Sequence, residues 1–269
     1  MATNSIIRFQ GLSFSYDSRT IINNLDFSIP KGSVVAIMGG SGVGKTTLLK
    51  LIAGLIPSKK SQIKVFGQDI SLLSFKEKNN LRKRIGLLFQ FGALFTDLSC
   101  FENVAFPLRE HSALSSSLLK TTVMLKLECV GLRGAANLMP SEISGGMSRR
   151  IALARAIALD PELILYDEPF SGLDPISLGV TANLIRKLND ALGSTSVIVT
   201  HDVFETFEIA DHIFLLGPSK NGAVLVGSGS PKEITDNKDS YVQQFIQGNH
   251  NGPIEFHYPT ESKKFFFYK

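Results

Sequence analysis

One run of the chain, Gly39-Gly40-Ser41-Gly42-Val43-Gly44-Lys45-Thr46-Thr47, restricts what it can fold into more than any other. It follows the apolar stretch from Val34 to Met38. It precedes Leu48-Leu49-Lys50-Leu51-Ile52-Ala53-Gly54, whose apolar positions recur at helical spacing. Strand, glycine-rich loop and helix therefore come in order, with G-x-x-x-x-G-K-T filled at every position. Loop residues that lack a Cβ let successive backbone N–H groups converge on the oxygens of a polyphosphate. The helix adds its unpaired N–H groups and the positive end of its dipole. On this reading Lys45 reaches the β- and γ-phosphates and the Thr46 hydroxyl takes a place on Mg²⁺. The expected ligand is a nucleoside triphosphate, held in an α/β fold.

A length of 269 residues with 43% hydrophobic residues suits one large domain, or a domain with a subdomain. The net charge of +4 is small for this length and argues against a nucleic-acid partner, which calls for a concentrated basic face. Cys100 and Cys129 have neither metal-ligand spacing nor the density of a secreted scaffold, and read as ordinary reduced cysteines. No apolar run approaches the roughly 20 residues that span a bilayer. The start, Met1-Ala2-Thr3-Asn4-Ser5, reads as no signal peptide. Any membrane role is thus expected to come through a partner.

Before the phosphate loop, Ile6-Ile7-Arg8-Phe9, Leu12-Ser13-Phe14-Ser15-Tyr16 and Leu25-Asp26-Phe27-Ser28-Ile29 alternate in polarity as strands do. Gly11, Asp17-Ser18 and Pro30-Lys31-Gly32 read as turns between them. This predicts an antiparallel β subdomain. Tyr16, at a strand end, has two open readings: a platform for an adenine ring, or a half-buried hairpin tyrosine. Strand-like alternation returns from Lys59 to Gln68, Ser74 to Arg84 is helix-compatible, and Ile85-Gly86-Leu87-Leu88-Phe89 is a buried-type strand ending in Gln90. The carboxyl end of such a strand is where open α/β sheets bind ligands, so Gln90 is placed to touch Mg²⁺ or a water.

From about Glu102 to Leu159 the pattern is helical, which predicts a helical subdomain over about 91–160. Within it, Ser144-Gly145-Gly146 opens a helix with a hydroxyl and bare N–H groups, a second anion-binding arrangement. One nucleotide rarely needs two such cradles in one domain. The economical account is a nucleotide shared by two subunits, each offering one cradle. Leu163-Ile164-Leu165-Tyr166 then runs into Asp167-Glu168-Pro169. Asp167 suits the metal. Strand alternation points Glu168 to the other side, as a base for the attacking water. Ser171-Gly172-Leu173-Asp174-Pro175 is a turn-rich loop, and Ile176 to Leu192 a helix. Thr195 to Thr200 is a β-branched strand ending in His201, on the same strand-end edge as Gln90 and Glu168.

In this order and spacing, Gly39 to Thr46, Gln90, Ser144-Gly145-Gly146, Leu163 to Glu168, Ser171 to Asp174 and His201 resemble the nucleotide-binding subunit of ABC transporters, over roughly residues 5–235. The resemblance implies that Lys45 and Thr46 bind phosphate and Mg²⁺. Gln90 senses the γ-phosphate and couples to the membrane subunit, and Ser144 and Gly146 close on the ATP of the opposite subunit. Asp167 is the metal carboxylate, Glu168 the base, Asp174 the acid of the dimer loop, His201 a γ-phosphate contact and Tyr16 the adenine-stacking aromatic. It also implies a domain over 1–240 and a C-terminal extension over 241–269.

A narrower resemblance lies in Phe89 to Leu98, Phe101 to Glu110, Ser144-Gly145-Gly146-Met147-Ser148-Arg149-Arg150, Asp167-Glu168-Pro169-Phe170 and Gly252 to Pro259. These are similar to the ATPases of Mce-linked lipid transporters. That similarity implies a homodimer under an integral permease at the cytoplasmic face of the inner membrane. A periplasmic Mce-domain protein and a STAS-domain regulator belong to the same complex, with phospholipid as cargo. An ABC subunit for another cargo, an amino acid or a drug, is the alternative. Soluble ABC ATPases of DNA repair or translation fit worse, because only 53 residues separate Gln90 from Ser144 and the chain holds one ATPase domain. In the tail, Gly248 to Gly252 reads as a flexible hinge, and residues 253–259 either dock on a neighbouring protein or form an inert terminus.

Overall fold

The computed structural model describes residues 5–90 and 92–254. Most of the tail segment expected to dock, together with everything after it, lies outside these residues. Strands β1 (Ser5–Tyr16) and β2 (Arg19–Pro30) form an antiparallel hairpin about Asp17-Ser18. Gly11 does not turn the chain as expected. It sits inside β1 at φ 58°, where the register shifts between Phe9 and Leu12. A glycine in a strand signals a bulge as readily as a turn.

The all-buried β3 (Val34–Gly39) feeds the phosphate loop, and α1 (Lys45–Ile52) follows it. At two turns α1 is too short to hold alone. Burial of Leu48, Leu49, Leu51 and Ile52 fixes it, each side chain contributing about 1.5–3 kcal/mol. Short strands β4 (Ile63–Val65) and β5 (Gln68–Asp69) extend the antiparallel layer beyond β1. Then come α2 (Phe75–Arg82), with a Ser74–Glu77 capping box, and β6 (Ile85–Leu88). Between 92 and 160 the described residues hold α3 (Cys100–His111), α4 (Ser116–Cys129), α5 (Gly145–Ala156) and short 3-10 turns, with no strand.

The rest alternates: β7 (Leu163–Asp167), α6 (Pro175–Leu192), β8 (Thr195–Thr200), α7 (Phe204–Ile209), then the hairpin β9 (His212–Ser219) and β10 (Gly222–Gly229), and finally α8 (Pro231–Asp236) and α9 (Ser240–Gln247). Among the described residues the ten strands form one sheet in the order β5-β4-β1-β2-β10-β9-β3-β8-β7-β6. The half from β9 to β6 is parallel, and the hairpins β1–β2 and β9–β10 are antiparallel.

Alternate residues of the parallel strands serve different cores. Leu163, Leu165, Val197 and Val199 pack in the core that contains α1, whereas Ile164, Tyr166 and Ile198 pack with the helical segment. Burial on both faces is why these strands read as continuous apolar runs. The arrangement brings the loops after β3, β6, β7 and β8 to one carboxyl edge, where such sheets hold ligands. At the other end of the chain α9 packs Val242 against β9 and β10. Its buried Gln244 side chain bonds the carbonyl of Asn249 and both the N–H and the carbonyl of Ile254. The hinge expected at Gly248 to Gly252 is therefore a pinned turn, because an amide side chain supplies the backbone partners that a free linker lacks.

Candidate functional site

A cleft of about 390 Å³ opens along that edge. Ser41, Gly42, Gly44, Lys45, Thr46 and Thr47 form its floor, Gln90, Glu168 and His201 its far side, and Arg19 and Ile21 its rim. The loop keeps its shape because glycine is required at both ends. A Cβ on Gly39 would stand 2.6 Å from the Leu216 carbonyl oxygen, and one on Gly44, at φ 100°, 2.8 Å from Ile21. Lys45 is buried, and its Nζ donates to the carbonyls of Gly39 and Gly40 at 2.9 and 3.1 Å. Val43 packs inward beneath the loop.

The same ammonium lies 3.2 Å from Glu168 Oε1. The other carboxylate oxygen of Glu168 is 3.0 Å from His201 Nδ1. At 8% exposure this carboxylate is almost wholly withdrawn from water, so its two partners largely replace its solvation. Strand alternation is not what aims it. Glu168 leaves β7 in the left-handed region at φ 46°, its N–H still bonded to the Val199 carbonyl. This turns it to Lys45, while Asp167, still on the strand, accepts a 2.8 Å bond from the Thr46 hydroxyl. Burial pushes the Asp167 carboxyl above its ordinary range, with the Glu168 charge adding to the shift and the Thr46 bond opposing it. A buried carboxylate, a threonine hydroxyl and the Gln90 amide are all-oxygen donors of the kind Mg²⁺ takes. Such an ion would relieve the charge buried at Asp167.

Tyr16 ends β1, 44% exposed and edge-on to Phe14, and is absent from the walls of the cleft. Ser144, Gly145, Gly146 and Asp174 lie outside it too. Ser144 caps α5, accepting from the Met147 N–H, and Asp174 caps α6, accepting from Ile176 and Ser177. These two helix starts adjoin, since a Cβ on Gly146 would meet the Ser177 hydroxyl at 3.3 Å. The chain thus presents one glycine-rich loop inside a cleft and a second glycine-bearing helix start, exposed, elsewhere.

Two arginines bear on the site without a role assigned to them from the sequence. Arg19 stands on the rim. Arg149, on α5, reaches the backbone of Gln90, Pro169 and Ser171. Its only sequence trace is a pair of arginines after the Ser-Gly-Gly turn.

Comparison with known proteins bears on this geometry. Residues 22–171 match the ABC transporter family. The intermembrane phospholipid transport system ATP-binding protein MlaF of Haemophilus influenzae is 51% identical over 257 residues, covering 96% of each chain. MlaF of Escherichia coli K12 is 51% identical over 95% of this chain and 94% of its own. Among solved structures, the dimeric post-hydrolysis state of the ATP-binding cassette MJ0796, bound to ADP and Pi, superposes with a TM-score of 0.74 at 29% identity. It covers 84% of this chain and 98% of that one. On the family match over more than half of its length, and on 51% identity across 96% of both chains, the chain belongs to the ABC transporter family, as one of its ATP-binding, ATP-hydrolysing subunits.

Proposed function

We propose that this subunit drives an intermembrane phospholipid transporter, working as a homodimer on an integral permease at the cytoplasmic face of the inner membrane. The observation that carries the cargo is 51% identity across 96% of both chains with a protein named for phospholipid transport. No helix among the described residues is long and apolar enough to cross a membrane, in keeping with a peripheral subunit. A groove of about 940 Å³ beside Gln90, lined by Phe75, Phe89, Phe95, Phe106 and Arg155, supports the permease contact. Phe75 there is 78% exposed. The periplasmic Mce-domain carrier and the STAS-domain regulator follow from the sequence resemblance. The ATP-binding domain spans 1–240 with its helical subdomain at about 91–160. The extension over 241–269 starts with a helix packed on that domain.

In this reading the loop N–H groups and Lys45 hold the phosphates, with Thr46, Asp167 and Gln90 around Mg²⁺. The ion supplies charge neutralisation on the phosphate oxygens. Glu168 takes the proton of the attacking water, and His201, bonded to it, faces the γ-phosphate. Tyr16 stacks on adenine. Ser144, Gly145, Gly146 and Asp174 serve the partner's nucleotide.

The test is reconstitution of the chain with its permease in liposomes, following a labelled phospholipid. ATP-dependent movement of lipid to the Mce-domain carrier, lost in Glu168→Gln, is expected. ATP hydrolysis stimulated by an unrelated solute and indifferent to phospholipid would overturn the lipid assignment.

A further inference from the structure

α5 holds two loops of the site through one side chain. Arg149 Nη1 donates to the carbonyls of Pro169 and Ser171 at 2.9 and 2.6 Å, and Nη2 donates to the carbonyl of Gln90 at 2.8 Å. Pro169 follows Glu168 directly, and Gln90 lines the same side of the cleft as Glu168. Six residues along the same helix, Arg155 Nη2 donates to the carbonyls of Gly92 and Ala93 at 2.9 and 2.8 Å. The loop after β6 is thereby gripped on both sides of position 91. The carbonyls are the sole hydrogen-bond partners of the Arg149 guanidinium among the described residues, and the Asp202 carboxylate adds a favourable charge without a hydrogen bond.

Charge-assisted bonds to fixed carbonyls are among the stronger hydrogen bonds, and a planar fork can span loops that a point charge cannot. A rigid shift of α5 must therefore displace the Gln90 and Pro169 backbones together. Ser144, at the N-terminus of α5, caps the helix that would carry such a shift.

We propose that Arg149 is a positioning residue for hydrolysis: it ties α5 to the backbone beside Gln90 and Glu168, so that engagement of the α5 N-terminus sets the water-activating side of the cleft. This rests on the assignment of Glu168 as the base. Arg149 touches neither phosphate nor metal. Its loss acts through the placement of Gln90 and Glu168 and leaves the cradle of Lys45 and Thr46 intact.

The experiment measures steady-state ATP hydrolysis, and equilibrium binding of a non-hydrolysable ATP analogue, on the full chain for wild type, Arg149→Met, Arg149→Lys and Glu168→Gln. Arg149→Met removes every donor at similar length. Its kcat is expected to fall roughly 10- to 100-fold, the scale of an ångström-sized misplacement. KM and analogue affinity stay within about 3-fold, the pattern of an interaction that matters in the transition state. Arg149→Lys keeps the charge but reaches fewer carbonyls, and should fall between. If the methionine variant fails to fold, the lysine variant carries the test by the same split between kcat and KM. In the Glu168→Gln background, Arg149→Met should add little further loss, because both act on one step. Wild-type kcat in Arg149→Met, with Glu168→Gln slow, overturns the proposal and leaves the site assignment standing. Equal losses of analogue binding and kcat would make Arg149 merely structural and also overturn it. Near-wild-type hydrolysis by Glu168→Gln would remove the base, and the proposal with it.

Discussion

Lys45 has two suitors, since a γ-phosphate arriving at its ammonium competes with the Glu168 carboxylate 3.2 Å away. Glu168→Gln removes the competing charge together with the base. ATP should bind at least as tightly as in wild type, while hydrolysis falls by ~10² or more. Nucleotide titration beside a turnover assay checks both halves, and weakened ATP binding would count against the competition. Asp167 allows a prediction of opposite character. Its folded-state pKa is raised, so the folded chain binds more protons than the unfolded one between the ordinary carboxylate value and that raised value. Stability therefore declines as pH rises through this window, and above it the full cost of the buried charge is present. Asp167→Asn, whose amide oxygen can still accept from Thr46, should raise the melting temperature of the chain without nucleotide at pH values above that window. The gain should shrink below the raised pKa, and Mg²⁺-dependent hydrolysis should be lost. A melting temperature lowered at every pH on that side of the window would sink this account. The motif residues were legible because phosphate chemistry needs fixed residue types at fixed spacings. Arg149 and Arg155 were not, because an arginine that seeks backbone carbonyls places no demand on the identity of its partners.

At the level of elements, the sheet edge works because α5 lies hard against β6. A Cβ on Gly86 would stand 2.5 Å from the Ala156 carbonyl oxygen, at the end of α5. Gly86→Ala must push strand and helix apart, at about 1–3 kcal/mol for overpacking of this kind. Chemical denaturation should show that loss, and an unchanged midpoint would mean the helix end can yield freely. Hydrolysis should fall with it, because α5 carries the arginines that hold the Gln90 loop. Helices and parallel strands were readable where one face or both faces are apolar, as in α6 and β7. The hairpin of β9 and β10 was harder to read: the apolar run of β9 is only Ile213 to Leu216, and β10 carries three glycines and a serine among its eight residues. β2 reaches back to Arg19, beyond the stretch its pattern reveals, because Asn24 takes a left-handed conformation at φ 52° and breaks the alternation without breaking the strand. The same effect merged two expected strands into β1.

At the scale of the whole molecule, the phosphate-loop cleft and the helix starts at Ser144 and Asp174 lie apart. The cleft holds Lys45, Thr46, Gln90, Glu168 and His201, whereas Ser144 and Asp174 cap neighbouring helices outside that cleft with their N-termini exposed. A helix start with free N–H groups attracts anions, and here the chain's own phosphate loop does not use it. In the homodimer proposed above, a two-fold axis that sets one exposed start over the partner's cleft sets the other likewise, since an isologous contact repeats itself on both partners. Complementation tests this directly. Lys45→Ala removes the phosphate contact in its own cleft, and Ser144→Arg puts a bulky cation where the partner's phosphate would sit, also losing the cap. Each variant alone should be inactive. In a mixed dimer one site pairs the intact Lys45 of one chain with the intact Ser144 of the other, and the second site carries both lesions. With random pairing, half the dimers are mixed and half their sites are whole, so an equal mixture should recover up to about a quarter of wild-type hydrolysis. Differently tagged chains, purified through both tags, confirm that mixed dimers form and should raise the recovered fraction. Activity no higher than either variant alone in that doubly purified sample would mean that each chain completes its own site, and the exposed Ser144 cradle would then need another ligand.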